Sequence, residues 1–147
     1  MKEKVIKNKK ATFNFEVLEK LEAGVELFGF EVKSLRLGSA SLDGSYVIIK
    51  GGEVFLKNAF IAPYQEKNTP ESYDPRRLRK LLLRRSQISD LLEKKKGSSL
   101  TFIPLMWYNK KRKIKLEIAI ARGKKKHDKR ETIKRRDQER DVGRRLK

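Results

Sequence analysis

His127 is the only side chain in the sequence whose ordinary pKa lies near neutral pH, and it stands between Lys126 and Asp128 in a run of charges. A general base or nucleophile has to be held at a fixed distance from the atom it acts on, which takes a packed scaffold around it. The residues flanking His127 are charged or polar and offer no such scaffold. It reads as a solvated member of a charge run, or as a group that stacks on a base or meets a phosphate. The chain has no cysteine, which excludes disulfides and thiolate metal sites, and a single His would leave any zinc site to carboxylates. Gly51-Gly52 lacks the spacing of a phosphate loop. No catalytic residue, metal or cofactor is expected.

Positive charge is the chemistry that remains. Three basic stretches stand out: Asn8-Lys9-Lys10, Lys33 with Arg36, and the run that begins Arg122-Gly123-Lys124-Lys125-Lys126. Each alone has a bland explanation as a solvated face. Together they belong to a chain of 147 residues with 38 basic and 19 acidic side chains, a net charge of +19. Charge of that size concerns partners and association rates, and the commonest partner is nucleic acid. Lys and Arg gain affinity there by displacing counterions from phosphates. Tyr46, Phe60, Tyr64, Tyr73 and Trp107 are candidates for base stacking, with core packing as the competing role.

The last 26 residues, 122–147, hold 13 basic and five acidic side chains, a net +8, and their only aliphatic residues beyond glycine are Ile133, Val142 and Leu146. Such a segment buries too little apolar surface to offset its ordering entropy, so alone in water it is expected to be mobile or a nascent helix. It also lacks the apolar face of a membrane-surface helix, which argues against a lipid partner. The chain starts Met-Lys-Glu-Lys and has no apolar run of signal or transmembrane length, so a cytoplasmic protein is expected.

The elements that must position these cations lie upstream, where Val, Ile, Leu and Phe concentrate. Residues 1–10 read as a basic arm, 11–121 as the folded body and 122–147 as the tail. Phe13, Phe15 and Val17 alternate with polar residues as a strand does, and Val25-Glu26-Leu27-Phe28 is a second strand candidate. Val32 and Leu35 mark a short helix that Gly38 ends. Tyr46–Lys50 and Glu53–Lys57, joined by Gly51-Gly52, form the clearest hairpin. Asp74-Pro75 resembles an N-cap and first turn, and Leu78, Leu81 and Leu82 then form a helical stripe. A further helix is predicted over 86–96, with Gly97 as its stop. A strand over 100–108 contains Pro104, which predicts an edge or bulge, and 113–121 is the cleanest alternation of all. About six antiparallel strands with about three short helices suit a small barrel, a mainly β fold. From the residues alone this is an RNA- or DNA-binding barrel with a basic tail.

Several motifs, taken in order, resemble one family. They are Asn8-Lys9-Lys10-Ala11, Glu31-Val32-Lys33-Ser34-Leu35-Arg36, Ser45-Tyr46-Val47, Gly52-Glu53-Val54-Phe55-Leu56, Ala62-Pro63-Tyr64, Arg79-Lys80-Leu81-Leu82-Leu83, Ala121-Arg122-Gly123-Lys124-Lys125 and His127-Asp128-Lys129-Arg130. From Asn8 to about Arg140 the chain resembles the SsrA-binding proteins, the SmpB family. The resemblance implies an oligonucleotide-binding type barrel that holds the tRNA-like domain of transfer-messenger RNA. It also implies delivery of that RNA to bacterial ribosomes stalled without a stop codon, in the process called trans-translation, with elongation factor Tu as a possible third member of the complex. On the family pattern Asn8, Lys9, Glu31, Lys33 and Arg36 match the surface that grips the RNA, with Glu31 expected to accept hydrogen bonds from base amino groups. Lys124, Lys125, His127, Asp128, Lys129 and Arg130 match the tail that enters the empty messenger channel, where it becomes helical. The sequence departs from the family at Thr12 and Phe13, where basic or His residues are usual. The competing reading is a general RNA-binding or ribosomal-type protein with no part in trans-translation.

Overall fold

The computed structural model describes residues 3–65, 67 and 69–124. The first element is already a departure from the sequence reading: the expected basic arm contains a strand, β1 (Glu3–Lys7), which pairs antiparallel with Met106–Asn109. A four-residue helix, α1 (Ala11–Asn14), follows and takes in Phe13, so the strand expected from Phe13 begins only at Phe15. That strand, β2 (Phe15–Val25), then runs unbroken to Val25, where the sequence pointed to two separate strands. Its apolar alternation is hidden by Glu19, Lys20 and Glu22 and by a register shift between Val17 and Glu19.

The short helix α2 (Gly29–Arg36) ends as predicted, with Gly38 in the left-handed region at φ +79°. The strands β3 (Ala40–Ser41), β4 (Tyr46–Lys50), β5 (Glu53–Lys57) and β6 (Phe60–Ile61) come next. The β4–β5 hairpin has the expected register, Lys50 opposite Glu53, across Gly51 and Gly52 at φ +60° and +75°. Both central residues therefore hold the conformation of a type I′ turn.

The largest correction falls at residues 74–83. The leucine stripe there is not helical: β7 (Arg79–Leu82) pairs with β5 on one side and β2 on the other. Its inward residues are Arg79 and Leu81, and the period-two pattern is concealed because one inward side chain is a guanidinium. The helix α3 (Arg85–Lys95) matches expectation and buries Leu91. In β8 (Thr101–Lys110) the register shifts between Pro104 and Met106, the irregularity that Pro104 foretold. The last strand, β9 (Lys113–Gly123), buries Ile114, Leu116, Ile118 and Ile120.

Pairing runs β8–β4–β5–β7–β2–β9 and returns from β9 to β8, a closed ring of six antiparallel strands, with β1 added to β8 and β3–β6 as a separate two-stranded sheet. A ring of this kind leaves no long open edge among its members. Its interior holds Leu35, Val54, Leu56, Ile61, Leu81, Leu116 and Ile118, with Trp107 fully buried beside them.

The hairpin gives a direct test. An added Cβ at Gly51 or Gly52 would meet nothing within 4 Å, so the penalty of substitution there is conformational and not steric. Gly52→Val is expected to cost about 1–2 kcal/mol, read as a lower urea midpoint at unchanged slope. Gly51→Asn, which tolerates positive φ, should stay within about 0.5 kcal/mol.

Candidate nucleic-acid interface

An eight-residue helix is too short to be stable by propensity alone, so α2 must be held by what its inner face touches. Glu31, Ser34 and Leu35 form that face at the i, i+3, i+4 spacing, and all three are buried. Ser34 Oγ donates to the Ala62 carbonyl at 2.7 Å, and Leu35 fills the core.

Glu31 is the centre of the arrangement. Its Oε1 accepts the Phe28 backbone N–H at 2.8 Å, which caps the helix start, and also a guanidinium N–H of Arg77. Its Oε2 accepts Arg79 Nη2 at 2.7 Å, Arg79 Nε at 2.9 Å and the Tyr73 hydroxyl at 2.9 Å. Arg79 uses its remaining donors on the carbonyls of Ala59 at 2.7 Å, Pro75 at 3.0 Å and Arg77 at 3.2 Å. The side chains of Glu31 and Arg79 are both 0 % exposed. Burial pushes the Glu31 carboxyl up, but the hydrogen bonds from Arg77 and Phe28 and the charge of Arg79 outweigh it and hold the group below its ordinary range. Burial, and then the hydrogen bond to Glu31, push the Tyr73 hydroxyl up to about 12.

This geometry corrects one expectation. Glu31 does not offer its carboxylate to a base, because no part of it reaches the surface and its oxygens are occupied. It positions α2 from beneath. Asn8 is likewise internal: its backbone N–H donates to Leu105 O at 2.7 Å and its Nδ2 to Pro104 O at 2.8 Å, so it fixes the chain against the β8 irregularity. Lys9 beside it is exposed. Lys33 and Arg36 lie on the exposed face of α2, with Lys33 Nζ 5.4 Å from the Tyr64 ring centroid. Lys124 ties the root of the tail to α1, its N–H donating to Asn14 O at 3.0 Å and its Nζ to Thr12 O at 2.7 Å. Lys125, His127, Asp128, Lys129 and Arg130 lie outside the described residues. Of the aromatic candidates, Trp107 and Tyr73 are taken up by core and network, while Tyr46 is 37 % exposed with Lys57 over its ring.

Sequence reasoning missed two groups of residues. One is Arg77, together with the role it shares with Tyr73 and Arg79 as partners of Glu31, which lies more than 40 positions upstream. The other is the β8–β9 turn, where Lys111 and Arg112 occupy the central positions at φ +50° and +67°. Left-handed backbone is unfavourable for such side chains and is met mostly by Gly, Asn or Asp. Arg36 Nη2 donates to the Arg112 carbonyl at 3.0 Å, so α2 braces this turn. The run Lys110-Lys111-Arg112-Lys113 between two strand patterns was the available signal. A cleft of about 350 Å³ lies between the helix and the turn, with Val32, Leu82 and Ile114 among its apolar lining and Arg36, Arg112 and Lys113 among its cations. Among the described residues no carboxylate lines it. An apolar floor beside guanidinium and ammonium groups suits a nucleotide, base against the floor and phosphate on the rim. Among the described residues no cluster of His, Asp and Glu could hold a metal ion.

A family model described as "SmpB protein" matches residues 5–147. An SsrA-binding protein of Chlorobaculum tepidum is 50% identical over 138 residues, covering 93% of this chain and 87% of its own. One of Malacoplasma penetrans is 49% identical, covering 94% of each chain. Among solved structures, a chain described as "tmRNA-SmpB: a journey to the center of the bacterial ribosome" superposes with a TM-score of 0.68 at 40% identity, over 88% of this chain and 94% of that one.

The Glu31 network makes a prediction of both size and pH dependence. Glu31→Gln leaves Arg79 buried without its counter-charge and is expected to cost about 3–5 kcal/mol. Because the folded-state pKa of Glu31 lies below the ordinary 4.5, its contribution is present above that pH and is lost as pH falls through the folded value. Urea titrations between pH 3 and 7 should show acid destabilisation in the wild type and a flatter profile in Glu31→Gln.

Proposed function

Since this chain belongs to the SmpB family, we propose that it binds the tRNA-like domain of transfer-messenger RNA and brings that RNA to ribosomes stalled on messages without a stop codon. The observation that carries this reading is likeness over nearly the whole chain, tail included, to SsrA-binding proteins. The physical form of the site agrees with it: α2 is locked from below and presents cations above. Lys33 and Arg36, joined by Lys111 and Arg112 of the β8–β9 turn, contact RNA phosphates. Lys9 adds a contact from the α1 side, and Asn8 holds that corner in place.

The tail is assigned to the ribosome. Lys124 sets its point of departure from α1, and Lys125, His127, Asp128, Lys129 and Arg130 enter the messenger channel of the small subunit. The net +8 of residues 122–147 supports contact with ribosomal RNA. Elongation factor Tu accompanies the complex during delivery. The role requires no bond-making group of this chain, so the protein acts as a non-enzymatic adaptor. Its work on ribosomes places it in the cytoplasm, and among the described residues no helix is long and apolar enough to cross a membrane.

Two experiments test the proposal. At about 0.2 M salt, where non-specific affinity has largely collapsed, the protein should prefer transfer-messenger RNA to an unrelated folded RNA of equal length. Equal affinities would favour the general RNA-binding reading. The double variant Lys33→Ala, Arg36→Ala should weaken binding and reduce the log–log salt slope by about 1.5, two phosphate contacts at 0.7–0.9 each. Removing residues 125–147 should leave RNA binding nearly intact and abolish peptide tagging on stalled ribosomes. A truncated protein that no longer bound RNA would mean that the tail, and not the body, grips it.

A further inference from the structure

Phe28 is a large apolar side chain left 50 % exposed at the start of α2. It is not loose. The Arg77 guanidinium lies over its ring with Cζ 4.2 Å from the centroid, and Phe30 stacks beside it at 5.4 Å and 29°. Phe30 in turn meets the Tyr73 ring edge-on at 4.8 Å. The exposed ring is thus fastened to the buried Glu31 network through two independent neighbours.

Arg77 has a matching peculiarity. Its Nη2 donates to Glu31 Oε1 and to the Glu26 carbonyl, the latter at 3.2 Å. Its Nε reaches Glu31 Oε2 at 3.2 Å, and Nη1 reaches the Leu78 carbonyl at 3.3 Å. With four of five in-plane N–H groups committed, Arg77 cannot offer the two-pronged grip that guanidinium gives a phosphate. Its side chain is nevertheless 23 % exposed. What remains to a partner is a guanidinium over a phenyl ring, a cationic and aromatic surface with few free donors. A planar, unpaired nucleobase is the ligand that such a surface stacks, whatever the identity of the base. Because neighbours already fix both groups, little ordering entropy is lost when a base arrives.

We propose that Phe28 and Arg77 form a stacking ledge for an unpaired base of the bound RNA, distinct from the phosphate contacts of Lys33 and Arg36. The ledge rests on the RNA-binding function proposed above and names a further contact within it. It lies at one end of α2 and Arg36 at the other, about 12 Å apart along the helix.

The test uses the full-length protein and the tRNA-like domain of transfer-messenger RNA, titrated at several salt concentrations. Phe28→Leu keeps the apolar bulk and removes the ring. Its Kd is expected to rise about five- to a hundredfold, with an unchanged log–log salt slope, because no phosphate contact is lost. Phe28→Trp should bind as the wild type does and add an indole emission that RNA quenches, while the buried Trp107 of the wild type shows no such quenching. Wild-type affinity in Phe28→Leu, a reduced salt slope in that variant, or no quenching in Phe28→Trp would each overturn the ledge. Continued weakening by Lys33→Ala, Arg36→Ala would then leave the broader RNA-binding reading standing. If the wild-type protein fails to prefer transfer-messenger RNA, the broader reading fails instead, and the ledge is judged by the same criteria on the unrelated RNA.

Discussion

The buried pair of Glu31 and Arg79 is the constraint around which the rest of the molecule is arranged. Two charges taken out of water cost several kcal/mol each unless their hydrogen-bonding capacity is filled, and here it is filled from four directions. The helix start at Phe28, the carbonyls of Ala59 and Pro75, the Tyr73 hydroxyl and the Arg77 guanidinium all converge on one carboxylate and one guanidinium. The network therefore joins α2, the chain before β6, the loop before β7 and β7 itself. Its worth lies less in net stability than in geometry, because a shift of any one member leaves a buried charge short of a partner.

That geometry sorts the basic residues into two groups with different physics. Arg77 and Arg79 spend their donors inward on a carboxylate and on carbonyls, so neither is left to grip a phosphate. Lys33, Arg36, Lys111, Arg112 and Lys113 stay in water, where a cation retains its capacity to displace counterions from a phosphate backbone. A net charge of +19 also raises encounter rates with any polyanion, so selectivity has to come from the fixed arrangement and not from the charge total. The left-handed backbone at Lys111 and Arg112 fits this division. A turn made of glycine would be easier to form, but it would carry no cations beside Arg36.

The parts of the fold that the sequence revealed are those in which one local rule decides the outcome. The Gly51-Gly52 hairpin, the alternation of β9, the helix stops at Gly38 and Gly97 and the disturbance at Pro104 all follow from neighbouring residues. The parts it concealed depend on partners far along the chain. β7 reads as helical because its inward position is an Arg whose counter-charge is Glu31, and β1 reads as a polar arm because its structure is lent to it by β8. The motif containing Glu31, Lys33 and Arg36 was visible, but not which of its members reach the surface. Burial separates them, and burial is set by tertiary packing that spacing on one helix does not reveal. The cations of the β8–β9 turn were missed for a related reason: nothing local brings Arg112 to Arg36.

The ring closes through its most distant parts. β2 receives β9 with Phe15 opposite Gly123, and β1 docks on β8 with Glu3 opposite Asn109. During synthesis the hairpin and both longer helices have their local contacts early, whereas the first two strands wait, unpaired on these edges, until about a hundred further residues have emerged. Long-range antiparallel closure of this kind is slow and exposes strand edges in the interval. The segment that carries β1 and β2 is thus a structure in waiting, and the strand that completes β2 leads directly into Lys124 and the basic tail. A copy of this protein cut short anywhere before β9 would lose the tail and the closure of its body in the same event.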